Sequence, residues 1–408
     1  MAPVDLDDVA ALTGDEGHGL LAGLPDHAAA DPLVATQRLR DAGHRAALVA
    51  AVLTQARLRH QVRPRLGGWT DQLLFTPEGA EQVTRPEVAR HRARRFTAAG
   101  VTQVTDLAAG IGGDALSLAA AGLRVAAVER DPVTAAVLAA NAHALGLADA
   151  VTVTLADAAD VPLTATDVVF ADPARRASGR RLTDPEEWSP PLSWLLARPG
   201  RDLGLKVAPG LDHTTIPDDT EAEYVSIGGT LVELALYRGV LRDEQVRRRA
   251  TVIRDDAVHF VTDAQLPEAA SVGGFGAWLF EPDPAVIRSG LVAAVAEQVA
   301  AHLIDPLVAY LSGDRLVASP FVRAHAIDAV LPFQLKRLRA ALRARDVGQV
   351  VVKKRGFAAD PDRIRAQLRL ERARPNTATV VLTRVGAQPY ALITTPAPSA
   401  ATSATGAG

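Results

Sequence analysis

The stretch Asp106-Leu107-Ala108-Ala109-Gly110-Ile111-Gly112-Gly113-Asp114 decides the fold that this sequence predicts. It ends a short apolar run, Val101–Leu107, that is typical of a strand, and it leads into Asp114–Ala121, which is typical of a helix. Because glycine has no Cβ, a glycine-rich turn between strand and helix lets the backbone approach a ligand closely. The sequence therefore predicts a ligand site beyond the carboxyl end of the first strand of an open sheet.

Short apolar runs continue to alternate with helical segments after this turn. Because these runs are apolar on both faces, we predict a parallel α/β sheet with helices on both sides. Right-handed crossovers make this a doubly wound, Rossmann-like sheet that ends in an antiparallel pair joined at Gly228-Gly229. The predicted strands are Val101–Leu107, Arg124–Glu129, Val151–Leu155, Asp167–Ala171, Leu203–Val207, Tyr224–Ile227 and Val232–Tyr237.

Regions of different character flank this sheet. Helical spacing before it predicts two or three amphipathic helices, and Thr84 is expected to cap a further helix that begins at Pro86. After it, one helix is predicted at Ala285–His302, and a small α/β unit follows. The predicted domains are an N-terminal helical domain (1–95), the Rossmann-like domain (96–240), a connector (241–330), a small α/β domain (331–395) and a disordered tail (396–408).

Composition excludes several classes of protein. The 408 residues include no Cys, which rules out disulfides and thiolate sites, and the histidines show no metal-ligand spacing. The sequence has no apolar run long enough for a transmembrane helix, and its acidic start lacks the features of a signal peptide. We therefore expect a cytoplasmic protein without a metal or a membrane partner, and the sequence does not indicate its oligomeric state.

Positive charge is concentrated in two segments, although the whole chain has a net charge of −3. Residues 331–394 contain 14 Lys and Arg against 4 Asp and Glu, and residues 57–98 contain 9 Arg against 4 acids. A basic segment on an acidic body is suited to binding a polyanion, which predicts a nucleic-acid partner for the C-terminal segment. For the earlier segment, a solvated arginine face is an equally good interpretation.

Two classes of cofactor use a glycine turn of this kind. Asp106 lies four residues before Gly110, and Asp114 follows the turn, so carboxylates flank it on both sides. Such carboxylates favour the sulfonium and ammonium groups of S-adenosylmethionine and would repel the pyrophosphate of a dinucleotide. A nicotinamide dinucleotide remains the alternative, because Gly110-x-Gly112-x-x-Ala115 also fits the relaxed dinucleotide fingerprint.

Acidic residues also follow the later predicted strands. Glu129 ends the second strand and can accept hydrogen bonds from ribose hydroxyls, and Asp157 follows the third strand and could accept from an adenine amino group. We predict that these residues bind the cofactor together with the glycine turn. The predicted cofactor-binding residues are Asp106, Gly110, Gly112, Asp114, Glu129 and Asp157.

The fourth strand ends in Asp172-Pro173-Ala174-Arg175-Arg176, at the edge where the methyl donor is expected. An amine acceptor could donate hydrogen bonds to the Asp172 carboxylate, which would aim its lone pair at the methyl group. We therefore predict Asp172 and Pro173 as catalytic residues. Arg175, Arg176 and, at the end of the fifth strand, Lys206 are predicted to contact the substrate or its phosphates.

The stretch from Thr84 to Asp172 resembles the trimethylguanosine synthase-like branch of the class I methyltransferases. The resemblance lies in Arg85-Pro86-Glu87-Val88-Ala89, Gly110-Ile111-Gly112-Gly113, Val128-Glu129-Arg130-Asp131-Pro132 and Asn141-Ala142. That branch carries Pro-Pro-Trp at its catalytic motif, where this chain has Asp172-Pro173-Ala174-Arg175. The missing aromatic residue argues against guanine N2 as the methylated atom.

The whole chain is similar to a bacterial family of methyltransferases with a C-terminal THUMP-like domain. THUMP domains present basic surfaces to RNA, so the resemblance implies an RNA substrate. We predict methylation of a base nitrogen of a tRNA or rRNA, with substrate contacts from Lys353, Lys354 and Arg355. Two alternatives remain at this stage: an NAD(P)-dependent oxidoreductase, and a non-catalytic RNA-binding protein with a degenerate cofactor pocket. The resemblance is carried by Glu81-Gln82-Val83-Thr84, Asp172-Pro173-Ala174-Arg175-Arg176, Lys206-Val207-Ala208-Pro209-Gly210, Glu281-Pro282-Asp283-Pro284-Ala285 and Lys353-Lys354-Arg355-Gly356.

Overall fold

The computed structural model divides the chain into two compact units. Unit 1 comprises Met1–Ala208 with Ala235–Asp243, and unit 2 comprises Pro209–Leu234 with Glu244–Gly408. Within the described part of the chain, no helix combines the length and the apolar character that crossing a membrane requires. The described residues are 4–24, 31–164, 168–177, 180–198, 202–264, 267 and 269–397, without the side chains of residues 176, 177 and 181. Most of the predicted tail 396–408 therefore lies outside them.

Helices make up the first part of unit 1. The helix that begins at Pro86 is present as predicted, but its N-cap residue is Arg85. The prediction of Thr84 as the cap is wrong, because the Thr84 hydroxyl donates its hydrogen to Asp114 instead. The helices of unit 1 are α1 (Leu6–Thr13), α2 (Asp15–Ala22), α3 (Pro32–Asp41), α4 (Ala46–Leu66), α5 (Pro77–Gln82), α6 (Pro86–Ala98), α7 (Gly113–Ala120), α8 (Pro132–Ala144) and α9 (Leu192–Leu196).

The predicted doubly wound sheet is present in unit 1. The first nine strands of the chain are β1 (Gln103–Asp106), β2 (Arg124–Glu129), β3 (Val151–Leu155), β4 (Val169–Ala171), β5 (Arg176–Ala177), β6 (Arg180–Arg181), β7 (Leu203–Val207), β8 (Glu221–Ile227) and β9 (Thr230–Arg238). In unit 1 the order is β9-β7-β4-β1-β2-β3, and the pairs β7–β4, β4–β1, β1–β2 and β2–β3 are parallel. The strand order therefore reverses at β1, which places the switch point beside the glycine turn.

Unit 2 contains β8 and two later strands, which pair with one another, and a separate seven-stranded sheet. Its remaining strands are β10 (Arg248–Arg254), β11 (Ala257–Thr262), β12 (Trp278–Pro282), β13 (His302–Asp305), β14 (Val308–Gly313), β15 (Val322–Pro332), β16 (Val347–Lys354), β17 (Asn376–Val385) and β18 (Gln388–Pro396). β8 pairs parallel with β10, which pairs antiparallel with β11. The second sheet has the order β13-β14-β12-β15-β18-β17-β16, so it draws strands from both sides of the predicted boundary at residue 331.

Four α-helices lie in the described residues of unit 2: α10 (Pro284–Arg288), α11 (Val292–Gln298), α12 (Leu335–Arg343) and α13 (Pro361–Leu368). The prediction of one helix over Ala285–His302 is wrong, because Gly290 adopts a φ of +73° and separates α10 from α11. α12 and α13 pack on one face of the seven-stranded sheet through Leu338, Leu342, Ile364 and Leu368. Their opposite sides face solvent.

Candidate functional site

The glycine turn between β1 and α7 needs glycine for two different reasons. Gly112 is the N-cap residue of α7 and has a φ of +96°, in the left-handed region that other residues rarely adopt. A Cβ on Gly112 would also lie 2.3 Å from Cδ1 of Leu138, so the packing of α8 excludes a side chain there. Gly110, with a φ of +56°, has open space where its Cβ would be. The turn is thus packed on one side and open on the other.

A cavity of about 510 Å³ lies on the open side of this turn, at the carboxyl ends of β1, β2 and β4. Five of the six predicted cofactor-binding residues line it, and Gly112 lies between the lining residues Ile111 and Gly113. Val4 and the segment around α5 complete its wall. The predicted residues that line the cavity are Asp106, Gly110, Asp114, Glu129, Asp157 and Asp172.

Asp106 is the most deeply buried carboxyl group of the cavity, with 1% of its surface exposed. Burial, and to a smaller extent the neighbouring Asp172 and Glu129, raise the pKa of Asp106 from its ordinary 3.8 to a net value of about 7. Two groups lower this pKa: the Ala108 N–H, which lies 3.4 Å from Oδ1 of Asp106, and the positive charge of Arg92. A cation that enters the cavity would therefore find a carboxyl group whose ionisation it stabilises.

Glu129 connects the end of β2 to the glycine turn. Its Oε2 accepts a hydrogen bond from the Gly110 N–H at 3.0 Å, and its Oε1 accepts one from the Asp131 N–H at 2.9 Å. A carboxylate oxygen can accept a second hydrogen bond, so both oxygens retain capacity for a ligand hydroxyl. Oδ1 of Asp157 accepts a hydrogen bond from the Ala159 N–H at 2.9 Å and so caps a short 3-10 helix. The other carboxylate oxygen is left for a ligand.

Asp114 binds other protein side chains through both of its oxygens. Oδ1 accepts from Nη1 of Arg92, and Oδ2 accepts from the Thr84 hydroxyl at 2.6 Å. Arg92 is almost fully buried, with 1% exposed. Arg92 is not among the predicted site residues, although it lies one helical turn from Val88 and Phe96 on the apolar face of α6, where an arginine is unusual.

Asp172 and Lys206 meet at the carboxyl ends of β4 and β7. The two strands are parallel and Ala171 pairs with Leu205, so the next residues of both strands lie side by side. Nζ of Lys206 donates to Oδ2 of Asp172 at 2.5 Å and to Oγ1 of Thr84 at 2.7 Å. Arg175 approaches the other oxygen, with 3.9 Å between Nη2 and Oδ1. The side chain of Arg176 lies outside the described residues.

Comparisons with known proteins agree with this geometry. Residues 80–173 match a family described as SAM-dependent methyltransferase, residues 322–396 match one described as THUMP domain-like, and residues 5–61 match a domain of unknown function, DUF8688. Two relatives, from Mycobacterium tuberculosis strains CDC 1551 and H37Rv, are named uncharacterized S-adenosylmethionine-dependent methyltransferases. Each is 38% identical over 331 residues, which cover 79% of this chain and 87% of the relative.

The chain belongs to the S-adenosylmethionine-dependent methyltransferases. Its fold is shared along nearly its whole length with a crystal structure from Porphyromonas gingivalis W83 that is described as a methyltransferase. The TM-score is 0.73 at 19% identity, and the match covers 97% of this chain and 100% of that one. The family excludes the nicotinamide-dependent oxidoreductase that the glycine turn alone left open.

The cavity of this methyltransferase fits S-adenosylmethionine. The cofactor has a positively charged sulfonium and an ammonium group, and the cavity offers the carboxyl groups of Asp106, Asp172 and Glu129. The glycine turn gives backbone access without side chains, and Glu129 and Asp157 are acceptors suited to ribose hydroxyls and an adenine amino group. A pyrophosphate in the same place would be repelled by these carboxylates.

The remaining predicted residues of the methyltransferase lie at the end of β16, in unit 2. Lys353 forms an ion pair with Glu281, and Arg355 donates to the Ala309 carbonyl oxygen and stacks on the Tyr310 ring. Burial alone would raise the pKa of Glu281, but His325 and Lys353 lower it to about 2. Lys353 and Arg355 thus have protein partners.

Lys354 is exposed beside them. In the segment 57–98 of the methyltransferase, several arginines also have protein partners. Arg59 donates to the Leu73 carbonyl oxygen, Arg65 to that of Glu81 and Arg95 to that of Leu241. This segment therefore offers fewer free cations than its composition indicates.

Proposed function

We propose that this methyltransferase acts on RNA, at a base nitrogen of a tRNA or rRNA. The observation that carries the proposal is the outward side of α12 and α13 in the region that matches the THUMP domain-like family. α12 contains four cations and no acid, and its apolar residues Leu338 and Leu342 are buried against the sheet. Three of its four cations, Lys336, Arg337 and Arg343, are exposed to solvent, where a phosphate backbone could bind them.

Both helices contribute exposed cations to this side, which we call the α12–α13 basic face. A surface of this kind tracks phosphates without reading sequence, which suits a structured RNA. A sufficiently long RNA would then be held by its phosphates at the α12–α13 basic face while its acceptor base binds in the cavity. The exposed cations of the α12–α13 basic face are Lys336, Arg337, Arg343, Arg363 and Arg365.

Asp172 is proposed to orient the acceptor at the cavity. Lys206 already donates to Oδ2, and Nη2 of Arg175 lies 3.9 Å from Oδ1, beyond hydrogen-bond distance, so Oδ1 is the oxygen better placed to accept an N–H from an acceptor nitrogen. Pro173 fixes the backbone directly after Asp172, because its ring restricts φ. When bound, S-adenosylmethionine supplies the electrophilic methyl group. Orienting the nitrogen lone pair toward that group is a contribution of position, which is the main source of rate in such transfers.

Arg175 and Arg176 are proposed to contact the phosphates of the nucleotide that enters the cavity, and Lys354 to extend the RNA contact. A guanidinium suits this role because it presents several N–H groups in one plane to phosphate oxygens. Arg175 lies within 3.9 Å of Asp172, so a phosphate bound there would lie beside the acceptor position.

Transfer of tritiated methyl groups from S-adenosylmethionine to total RNA tests the proposal. RNA from a strain that lacks this gene should accept label, and RNA from the parent strain should not, because its sites are already methylated. Digestion to nucleosides should place the label on one base, and Asp172→Ala should abolish incorporation while cofactor binding persists. Label on protein or small molecules alone, or an Asp172→Ala enzyme as active as the wild type, would contradict it.

A further inference from the structure

A line of five polar side chains runs through unit 1 from α6 to the end of β4. It consists of Arg92, Asp114, Thr84, Lys206 and Asp172, and we call it the Lys206 relay. Consecutive members are joined by hydrogen bonds: Arg92 to Asp114, Thr84 to Asp114 at 2.6 Å, Lys206 to Thr84 at 2.7 Å and Lys206 to Asp172 at 2.5 Å. Its two carboxylates, Asp114 and Asp172, both line the cavity.

The direction of the hydrogen bonds in this line is determined by the Thr84 hydroxyl. A hydroxyl has one hydrogen to donate, and Thr84 directs it to the acceptor Asp114, which has no hydrogen of its own when ionised. The oxygen of Thr84 is then an acceptor for Nζ of Lys206. The geometry therefore holds Nζ of Lys206 as a hydrogen-bond donor at a defined place.

Lys206 is 5% exposed, so its ammonium group has little contact with water. A buried charge is costly unless an opposite charge pairs with it, and the pair is favourable only with good hydrogen-bond geometry. Asp172 supplies that charge at 2.5 Å. Lys206 was predicted to contact the substrate or its phosphates; two of its three N–H groups donate to protein acceptors.

We propose that Lys206 is a positioning residue that acts through Asp172. By holding Oδ2, it sets the rotation of the carboxylate and leaves Oδ1 to the acceptor nitrogen. Thr84 links this arrangement to Asp114 at the glycine turn, so the acid that orients the acceptor and the turn that holds the cofactor are parts of one hydrogen-bonded line. This inference rests on the proposed function, in which Asp172 receives the acceptor nitrogen.

The kinetic signature of such a residue differs from that of a substrate contact. Lys206→Met should lower kcat about 100-fold, because a misplaced carboxylate no longer orients the acceptor, and should change the cofactor Kd by less than about threefold. Lys206→Arg keeps the charge and should retain about tenfold more activity than Lys206→Met. In an Asp172→Asn background, Lys206→Met should cause no further loss, since Lys206 would then have nothing to position.

Thr84→Val removes the hydroxyl at nearly constant volume and tests the second link of the relay. It should lower kcat about tenfold, and it should also lower the melting temperature, because the buried Asp114 and Lys206 each lose a hydrogen-bond partner. Thr97→Val is the matched control, because Thr97 is an exposed residue of α6 that donates to the Arg94 carbonyl oxygen. The control should behave as wild type in both measurements.

The melting temperature gives a readout that needs no substrate. Asp172→Asn leaves the Lys206 ammonium buried without its counter-charge and should lower the melting temperature, and the double variant Asp172→Asn with Lys206→Met should recover part of that loss. A double variant that melts at the sum of the two single losses would overturn the pairing. Kinetic losses that multiply in the double variant, or a cofactor Kd that weakens as much as kcat falls, would overturn the positioning role. A wild-type enzyme that labels no RNA would instead refute the proposed function. The two failures can be told apart, because the melting comparison needs no substrate and decides by itself whether Lys206 and Asp172 act as a pair.

Discussion

Asn141 of α8 binds both backbone polar groups of Leu74, a residue 67 positions earlier in the chain. Oδ1 accepts from the Leu74 N–H at 2.7 Å, and Nδ2 donates to the Leu74 carbonyl oxygen at 3.0 Å and to that of Ile111 at 3.1 Å. Asn141 is fully buried. One amide therefore joins the segment before α5, which forms part of the cavity wall, to α8 and to the glycine turn.

Replacement of Asn141 should destabilise unit 1 strongly. Asn141→Ala leaves the backbone groups of Leu74 and Ile111 buried without partners, which should cost about 2–4 kcal/mol of unfolding free energy. Urea denaturation followed by circular dichroism would measure it. Asn376→Ala is the control, because Asn376 is exposed and its side chain makes one hydrogen bond, to the Arg345 carbonyl oxygen. Equal losses in the two variants would contradict the role assigned to Asn141.

Gly112→Ala should weaken the cofactor site and the fold together. The alanine would combine a left-handed φ of +96° with a Cβ 2.3 Å from Cδ1 of Leu138, so the buried Leu138 side chain must shift in the core. We expect a loss of about 2–4 kcal/mol in stability and a tenfold or greater rise in the Kd for S-adenosylhomocysteine, measured by calorimetry.

Gly100→Ala separates the two causes. Gly100 also has a positive φ, +76°, but open space surrounds its Cβ position. It should therefore lose only about 1 kcal/mol from backbone strain and bind the cofactor as the wild type does. Similar Kd values for the Gly112 and Gly100 variants would refute the steric argument.

Asp106 makes stability depend on pH in a defined direction. Its folded-state pKa of about 7 lies above its ordinary value of 3.8, so the folded chain binds more protons than the unfolded chain between these values. The stability that Asp106 contributes is thus fully present below pH 4 and is lost as pH rises toward 7. Asp106→Asn removes this loss. The unfolding free energy of the variant minus that of the wild type should therefore be about 2–4 kcal/mol larger at pH 8 than at pH 4.

Cofactor binding should have the opposite pH dependence, because the cationic cofactor prefers the ionised carboxylate. The affinity of wild-type enzyme for S-adenosylmethionine should increase as pH rises through about 7, and that of Asp106→Asn should stay flat across the same range. Calorimetric titrations at pH 6 and pH 8 would measure both. An equally steep dependence in the variant would assign the effect to another group.

Charge reversal on α12 tests the α12–α13 basic face. Lys336→Glu with Arg337→Glu should weaken binding to total tRNA at least tenfold and reduce the salt dependence of the Kd, since fewer counterions are released. Cofactor affinity should not change, because the cavity is built from residues of unit 1. Filter binding at two salt concentrations would measure the effect.

The matched control also replaces two cations by glutamate, but at positions elsewhere in the chain. Arg38→Glu with Arg124→Glu alters two exposed cations of unit 1 that are outside the α12–α13 basic face and do not line the cavity. If this pair weakens tRNA binding as much as the α12 pair, net charge rather than a defined face explains the affinity.

Local sequence was sufficient for the sheet, the glycine turn and most of the cavity. Strand periodicity, turn glycines and acids at strand ends are signals within a few residues, and parallel strands bring their carboxyl ends to one edge, so Asp106, Glu129, Asp157 and Asp172 could be assigned to one site. Local signals failed where a single left-handed glycine changes the chain direction. Gly290 inside an apolar run looked compatible with one helix and instead separates two.

The partners of the polar groups were decided only by the tertiary structure. Lys206 lies 122 residues from Thr84 and 34 from Asp172, and Arg92 lies 22 from Asp114. Such pairs have no periodicity, because burial requires each charge to find an opposite charge wherever the packed chain supplies one. Sequence could therefore name the acids of this methyltransferase and the edge where they gather, whereas packing determined that Arg92 holds Asp114 and Lys206 holds Asp172.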